Sequence, residues 1–215
     1  MPPDRQALRV SGGRDEGFTL VELLVTMVLI GIVSLGLGEA LIGFTANTDS
    51  TIRRLGESHD AQISAAYFAQ DVASIGLRKA SSPEVLLQSV EDDPSSTALA
   101  CGPETGAVVR FGWDDPTSAI GATQVRVAYV VADDDGERRL DRLVCRGSST
   151  TPVSETVLVH HLDVTAPVLS CASPVRCDGA GADVPQSVTL VLAIKDPDSA
   201  GAAYTVTLTG QRRQT

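Results

Sequence analysis

Residues 18–37 read FTLVELLVTMVLIGIVSLGL, twenty positions with a single charge, Glu22. About 20 apolar residues rising 1.5 Å each match the hydrocarbon thickness of a bilayer, which predicts a membrane helix by length alone. Past that run the helical pattern persists into polar sequence. Ile52, Leu55, Ile63, Ala66, Val72 and Ile75 recur mostly at steps of three and four or their sums, one apolar stripe facing a partner. The stretch holds no proline before Pro83, and Ser81-Ser82-Pro83 is a breaker, so one helix is expected from Phe18 to about Lys79. Gly31, Gly36, Gly38 and Gly43 weaken it locally or let neighbouring helices approach closely.

After Pro83 the period changes to that of strands. Candidate strands are 107–113, 124–131, 140–145, 156–162, 187–194 and 204–209, each bounded by Gly, Pro, Asp or Ser. In Gln124-Val125-Arg126-Val127-Ala128-Tyr129 the valines and Tyr129 share one face, which predicts a half-buried antiparallel sheet. Asp133-Asp134-Asp135-Gly136 lies between two of these runs, and Asp-Gly marks a hairpin because glycine tolerates positive φ. The expected fold class is therefore α+β, a sheet packed on the second half of one long N-terminal helix. The expected division is a leader at 1–17, a membrane-spanning half-helix at 18–44, an amphipathic half-helix at 45–80 and a β-rich head at 81–215.

Length and composition narrow the function. The 215 residues, 43% hydrophobic, suffice for the core of one ordinary domain. A net charge of −10 with 4% aromatics lacks the positive field that tracks a phosphate backbone, so nucleic acid is not the expected partner. Arg138, Arg139, Arg142 and Arg146 form the one dense basic run, and strand alternation would place some of them together. Residues 1–17, MPPDRQALRVSGGRDEG, show no apolar periodicity, and Arg5, Arg9 and Arg14 keep such a segment cytoplasmic. The apolar run ends without an Ala-x-Ala site, so cleavage behind it, as in an ordinary secretory signal, is not expected.

No catalytic chemistry stands out. His59, His160 and His161 lack metal-ligand spacing to one another or to the cysteines, and phosphate loops, nucleophile elbows and HExxH are absent. The chain is read as no enzyme, with no cofactor and no resident metal. His160 and His161 fall in an expected strand, where neighbours point to opposite faces. Asp133 to Asp135 and Asp196-Pro197-Asp198 hold oxygen ligands of the kind calcium takes, although solvated turns use the same residues. Cys101, Cys145, Cys171 and Cys177 are even in number, which favours disulfides once the chain leaves the cytoplasm. Of the three pairings, spacing favours Cys171 with Cys177 and Cys101 with Cys145. A zinc site is disfavoured because paired Cys-x2-4-Cys spacing is missing.

The junction Gly17-Phe18-Thr19-Leu20-Val21-Glu22-Leu23-Leu24 resembles the processing motif of type IV prepilins and type II secretion pseudopilins. The resemblance implies cleavage by a prepilin peptidase between Gly17 and Phe18, N-methylation of Phe18, and an assembly role for Glu22. The leader departs from the family pattern in carrying Asp15 and Glu16 beside the cut, where basic residues are usual. The resemblance also implies the pilin fold and, as partners, other major and minor pilins or pseudopilins and an assembly platform in the cytoplasmic membrane. The head would lie outside the cytoplasm, in an extracytoplasmic filament after assembly. Residues 67–78, YFAQDVASIGLR, resemble the helix end of W-type minor pilins and J-type minor pseudopilins, which implies a minor subunit that joins, and helps start, a filament. The competing expectation is a binding module, adhesin or DNA-uptake receptor, that uses the helix only for display.

Overall fold

A computed structural model describes residues 17, 19–76, 78–81, 84–93, 95–115, 123–172, 176–178, 183–195 and 203–213. Phe18, leader residues 1–16, Pro83 and the Asp196-Pro197-Asp198 loop lie outside the described residues. The fold is α+β: among the described residues one α-helix, α1 (Leu20–Ser74), is followed by antiparallel strands. It divides into two compact units, Met1–Ile52 and Arg53–Thr215, and the division falls inside α1.

In the first unit Thr19 caps the helix. Its Oγ1 accepts from the Glu22 amide at 3.3 Å, satisfying one of the amides that a helix start leaves without a partner. Leu20–Thr45 is a 26-residue apolar span, and every one of its residues is exposed. It is apolar on all sides, as lipid or neighbouring helices require, and unlike a surface helix with one apolar stripe. Thr26, Ser34 and Thr45 donate their hydroxyls to the carbonyls of Leu23, Ile30 and Ile42 at 2.7–2.9 Å, so the helix itself satisfies them.

In the second unit the rest of α1 packs on two sheets. β3 (Val90–Glu91), β4 (Ala107–Asp115), β5 (Thr123–Asp134), β6 (Glu137–Arg146) and β7 (Ser154–Val159) make a five-stranded meander in sequence order. β8 (Val168–Ala172), β9 (Ser187–Ile194) and β10 (Tyr204–Gln211) make a three-stranded sheet in the order β10-β9-β8. β1 (Arg78–Ser81) and β2 (Glu84–Leu87) form a short hairpin. An antiparallel bridge between Leu162 and Ile194 links the two larger sheets.

Phe68, Val72 and Ile75 carry the α1 stripe into the core, fully buried. Phe68 meets Phe111 on β4 and Tyr129 on β5, and the three rings stand edge to face at 5.4–5.8 Å. From the other sheet β9 contributes Val188, Leu190, Leu192 and Ile194, alternate residues of a strand with one inward face. β10 comes so near that a Cβ at Gly210 would lie 2.4 Å from Cβ of Val72, so only glycine fits there.

Three sequence expectations meet a different structure. α1 stops at Ser74 rather than near Lys79. Gly76 follows at once, the Ser89 hydroxyl donates to its carbonyl, and the buried Arg78 guanidinium donates to the Gln88 carbonyl at 2.6 Å. Arg78 is thereby drawn into β1. The five-stranded sheet is also not half-buried, because Arg126, Ala128 and Val130 on the second face of β5 are buried as well. Leu99 and Cys101 cover that side, and Arg126 ties the cover down through the carbonyls of Ala100, Gly147 and Ser149 at 2.7–2.9 Å. Finally, β7 ends at Val159, so His160 and His161 form a bend, not a strand, and His161 has φ 56°.

The expected hairpin joins β5 to β6. Asp134 pairs with Glu137, leaving a two-residue turn of Asp135 and Gly136 at φ 50° and 82°. Positive φ at both positions is the type I′ geometry that Asp-Gly favours.

Candidate functional site

The N-terminal segment is built for access. Gly17 is exposed and outside the helix, and open space surrounds the position its Cβ would take. Two residues on, Thr19 fixes where helical backbone begins, which leaves Gly17 on the non-helical side of the cap. Glu22 sits in the first turn, where a negative charge complements the helix dipole. Its side chain is exposed and has no partner among the described residues.

In the head, the cluster with the most buried chemistry holds α1 to the sheet. Asp71 on α1 accepts the Tyr129 hydroxyl at 2.7 Å. It also takes a two-pronged grip from Arg142, Nε at 2.7 Å and Nη2 at 2.6 Å. Tyr129 and Arg142 are direct cross-strand partners on β5 and β6, so they point to the same face. The guanidinium also lies 4.8 Å from the centre of the Tyr67 ring. Burial, then the neighbouring Asp71 carboxylate, pushes the Tyr129 phenol well above its usual range. Burial opposes the Arg142 charge, but its bonds to Asp71 outweigh that and hold the group firmly protonated. The effect of these bonds is to anchor the helix to the sheet.

The basic run is consumed in the same way. Arg139 reaches Asp134 at 2.6 Å and Asp141 at 3.0 Å, Arg146 pairs with Asp115 at 3.5 Å, and Arg138 donates to the Val164 carbonyl at 3.1 Å. Of these arginines, Arg139, Arg142 and Arg146 thus have acidic partners. His160 Nδ1 lies 2.8 Å from Asp60, and His161 Nδ1 lies 3.2 Å from Glu137. Among the described residues no three His, Cys, Asp or Glu side chains converge to hold a metal ion.

Cys101 is joined to Cys145, with both residues buried, and Cys171 to Cys177. An open depression of about 430 Å³ near the Asp-Gly turn mixes Asp133, Asp135 and Glu137 with Arg138, His161 and Lys195. Charges of both signs in an open hollow make no enclosed, mostly apolar pocket of the kind that holds a small molecule.

Sequence reading singled out Gly17, Phe18 and Glu22 but missed the Asp71 cluster. A signal was present: Asp71 stands three residues after Phe68 and four before Ile75, a carboxylate on the inward stripe of the helix. Its partners on β5 and β6 lie 58 and 71 residues away, beyond the reach of any local pattern.

Residues 13–38 match the family model described as the prokaryotic N-terminal methylation motif. The match covers the 17/18 junction, Glu22 and most of the apolar span, and it supports a type IV pilin or pseudopilin subunit. With the exposed apolar helix it fits a membrane-anchored pilin, processed by a prepilin peptidase and associated with other pilins. No curated protein sequence matches the chain.

Proposed function

We propose that this protein is a minor structural subunit of a type IV pilus-like or type II secretion filament. It is made as a prepilin, cut between Gly17 and Phe18, methylated on Phe18, and stored in the cytoplasmic membrane with its head outside. One observation carries this reading: the methylation motif coincides with the point where an exposed, non-helical Gly17 gives way to a fully exposed apolar helix. Arg5, Arg9 and Arg14 in the leader support the orientation.

Glu22 supplies the assembly contact. A carboxylate in an apolar span is costly to leave alone, whereas the new amine of Phe18 on a neighbouring subunit gives it an opposite charge in the same low-dielectric surroundings. The pair sets attraction and register together. The family resemblance of residues 67–78 supports the minor subunit class, one that helps to start a filament. The paired state of the basic run on β6 speaks against DNA uptake as the head's task.

The test is production of the chain with a prepilin peptidase, followed by intact-mass measurement. Loss of residues 1–17 and gain of one methyl group are expected. An uncut chain, or a cut beyond Leu37, overturns the reading. With partner pilins produced as well, Glu22→Ala should keep cleavage and lose recovery with them. Lost cleavage would assign Glu22 to the peptidase step instead.

A further inference from the structure

β10 ends its sheet with an open backbone edge. Its eight residues, Tyr204–Gln211, pair with β9 in unbroken register, contain no proline and no charged side chain, and have no strand on the other side among the described residues. The Arg212 amide donates to the Gln186 carbonyl at 2.9 Å, in register with that ladder, so the even-numbered residues of β10 are the ones that bond to β9. Thr205, Thr207, Thr209 and Gln211 therefore aim their amides and carbonyls at the open edge. Burial agrees, since these four are exposed whereas Leu208 and Gly210 are buried. Among the described residues no backbone bond from another segment reaches any of the four.

The other edges are guarded. β3 is two residues long, and β1 and β2 are four residues each and carry Arg78, Lys79 and Glu84. The Leu158 carbonyl on β7 accepts the Ser64 hydroxyl of α1 at 2.8 Å, and the β6–β7 register shifts between Leu140 and Asp141. β8 has five residues, follows Pro167, and is tied through Cys171 to Cys177. Short length, charge, bulges and proline are the means by which natural sheets keep an edge from pairing, and β10 has none of them. It is also held ready. Gly210 lies against Val72 of α1, the Arg213 amide donates to the Ala73 carbonyl at 3.4 Å, and three β-branched threonines line the exposed face.

We propose that the open edge of β10 is an assembly surface that takes an extended, uncharged segment of a different filament subunit, added as a further strand to the sheet β10-β9-β8. The inference rests on the filament reading above and deepens it. Outward amides and carbonyls at every second residue are matched by the backbone of another strand, which makes the occupant an extended one. A second copy of this chain does not fit. Its other edges are guarded, and β10 against β10 is a two-fold pair that uses up both edges and cannot continue into a filament. The contact in the span then serves every processed subunit alike, whereas the edge of β10 selects a neighbour that has a strand to give.

The experiment uses the full-length chain in cells that produce the complete set of filament subunits and the peptidase. Partner recovery, processed fraction and thermal unfolding are measured for wild type, Thr207→Pro, Thr207→Lys and Thr207→Val. Proline at 207 removes an amide that points away from β9, so the ladder survives while the edge is blocked. Lysine puts a charge on the edge and leaves the backbone alone, so it decides the matter on the same terms where the proline variant unfolds. Both should be fully processed yet recover about tenfold less partner or worse, with Thr207→Val close to wild type. A photo-reactive phenylalanine at Thr205 should cross-link to a different subunit, within an uncharged run of strand-forming residues. Recovery equal to wild type in a folded Thr207→Pro or Thr207→Lys chain overturns the inference and leaves the filament reading intact, as does a cross-link only to a second copy. A processed wild-type chain that recovers no partner overturns both.

Discussion

The two units of this molecule satisfy their polar groups in opposite ways. In the span Leu20–Thr45 each hydroxyl turns back to a carbonyl three or four residues earlier, and its large apolar side chains stay exposed. In the head the same requirement is met across the chain, Tyr129 and Arg142 closing on Asp71 from 58 and 71 residues away. A segment that satisfies its backbone and hydroxyls locally and leaves its apolar surface uncovered needs a lipid or protein neighbour to cover that surface. A segment that buries Phe68, Phe111 and Tyr129 against one another is complete by itself. The proposed assembly contact, Glu22, lies in that span and has no side-chain partner among the described residues.

The contrast predicts that damage to the head lowers its stability and spares processing. Asp71→Ala should have the largest effect, since it strands a largely buried Arg142 and frees the Tyr129 hydroxyl. A loss of about 3–5 kcal/mol is expected, with the 17/18 cut unchanged in intact mass. Thermal unfolding of the detergent-solubilised chain measures it, and a shift no larger than that of an exposed substitution would break the contrast.

Loss of either disulfide by reduction should come next, at about 2–4 kcal/mol each. Cys101 and Cys145 are buried while Cys171 is half-exposed on edge strand β8, so mass-tagged thiols should appear first at 171 and 177. Simultaneous tagging of all four would mean that the cover over β5 opens as readily as the sheet edge.

Tyr129→Phe should give the smallest change, about 1 kcal/mol at neutral pH, because one hydrogen bond is lost while Arg142 still holds Asp71. Its signature is the alkaline limb. The folded phenol is held well above its usual value, so the unfolded chain releases that proton first. The contribution of Tyr129 is thus fully present below about pH 10 and declines as pH rises through the folded value. The phenylalanine variant should lose part of that alkaline decline in Tm, and a profile parallel to wild type would remove Tyr129 from the cluster's proton balance.

The span and the turns were legible in the sequence because their causes are local. Twenty apolar residues read as a membrane helix wherever they occur, and Asp135-Gly136 requires no distant contact to favour positive φ at both positions. Alternation likewise put Val125, Val127 and Tyr129 on one face of a strand, where the structure has them. What alternation could not contain was the opposite face. Whether Ala128 and Val130 meet water depends on Cys101, packed with them and held by its disulfide to Cys145 and by the bond of Arg126 to the Ala100 carbonyl, and that is a fact about chain return. The same limit explains the helix end. Residues up to Lys79 suit a helix by propensity, yet Ser89 and Gln88 draw Gly76 and Arg78 into other bonds, and α1 stops at Ser74. Periodicity within one element fixed which residues face the same way, and only the packing of elements far apart in the chain decided what they face.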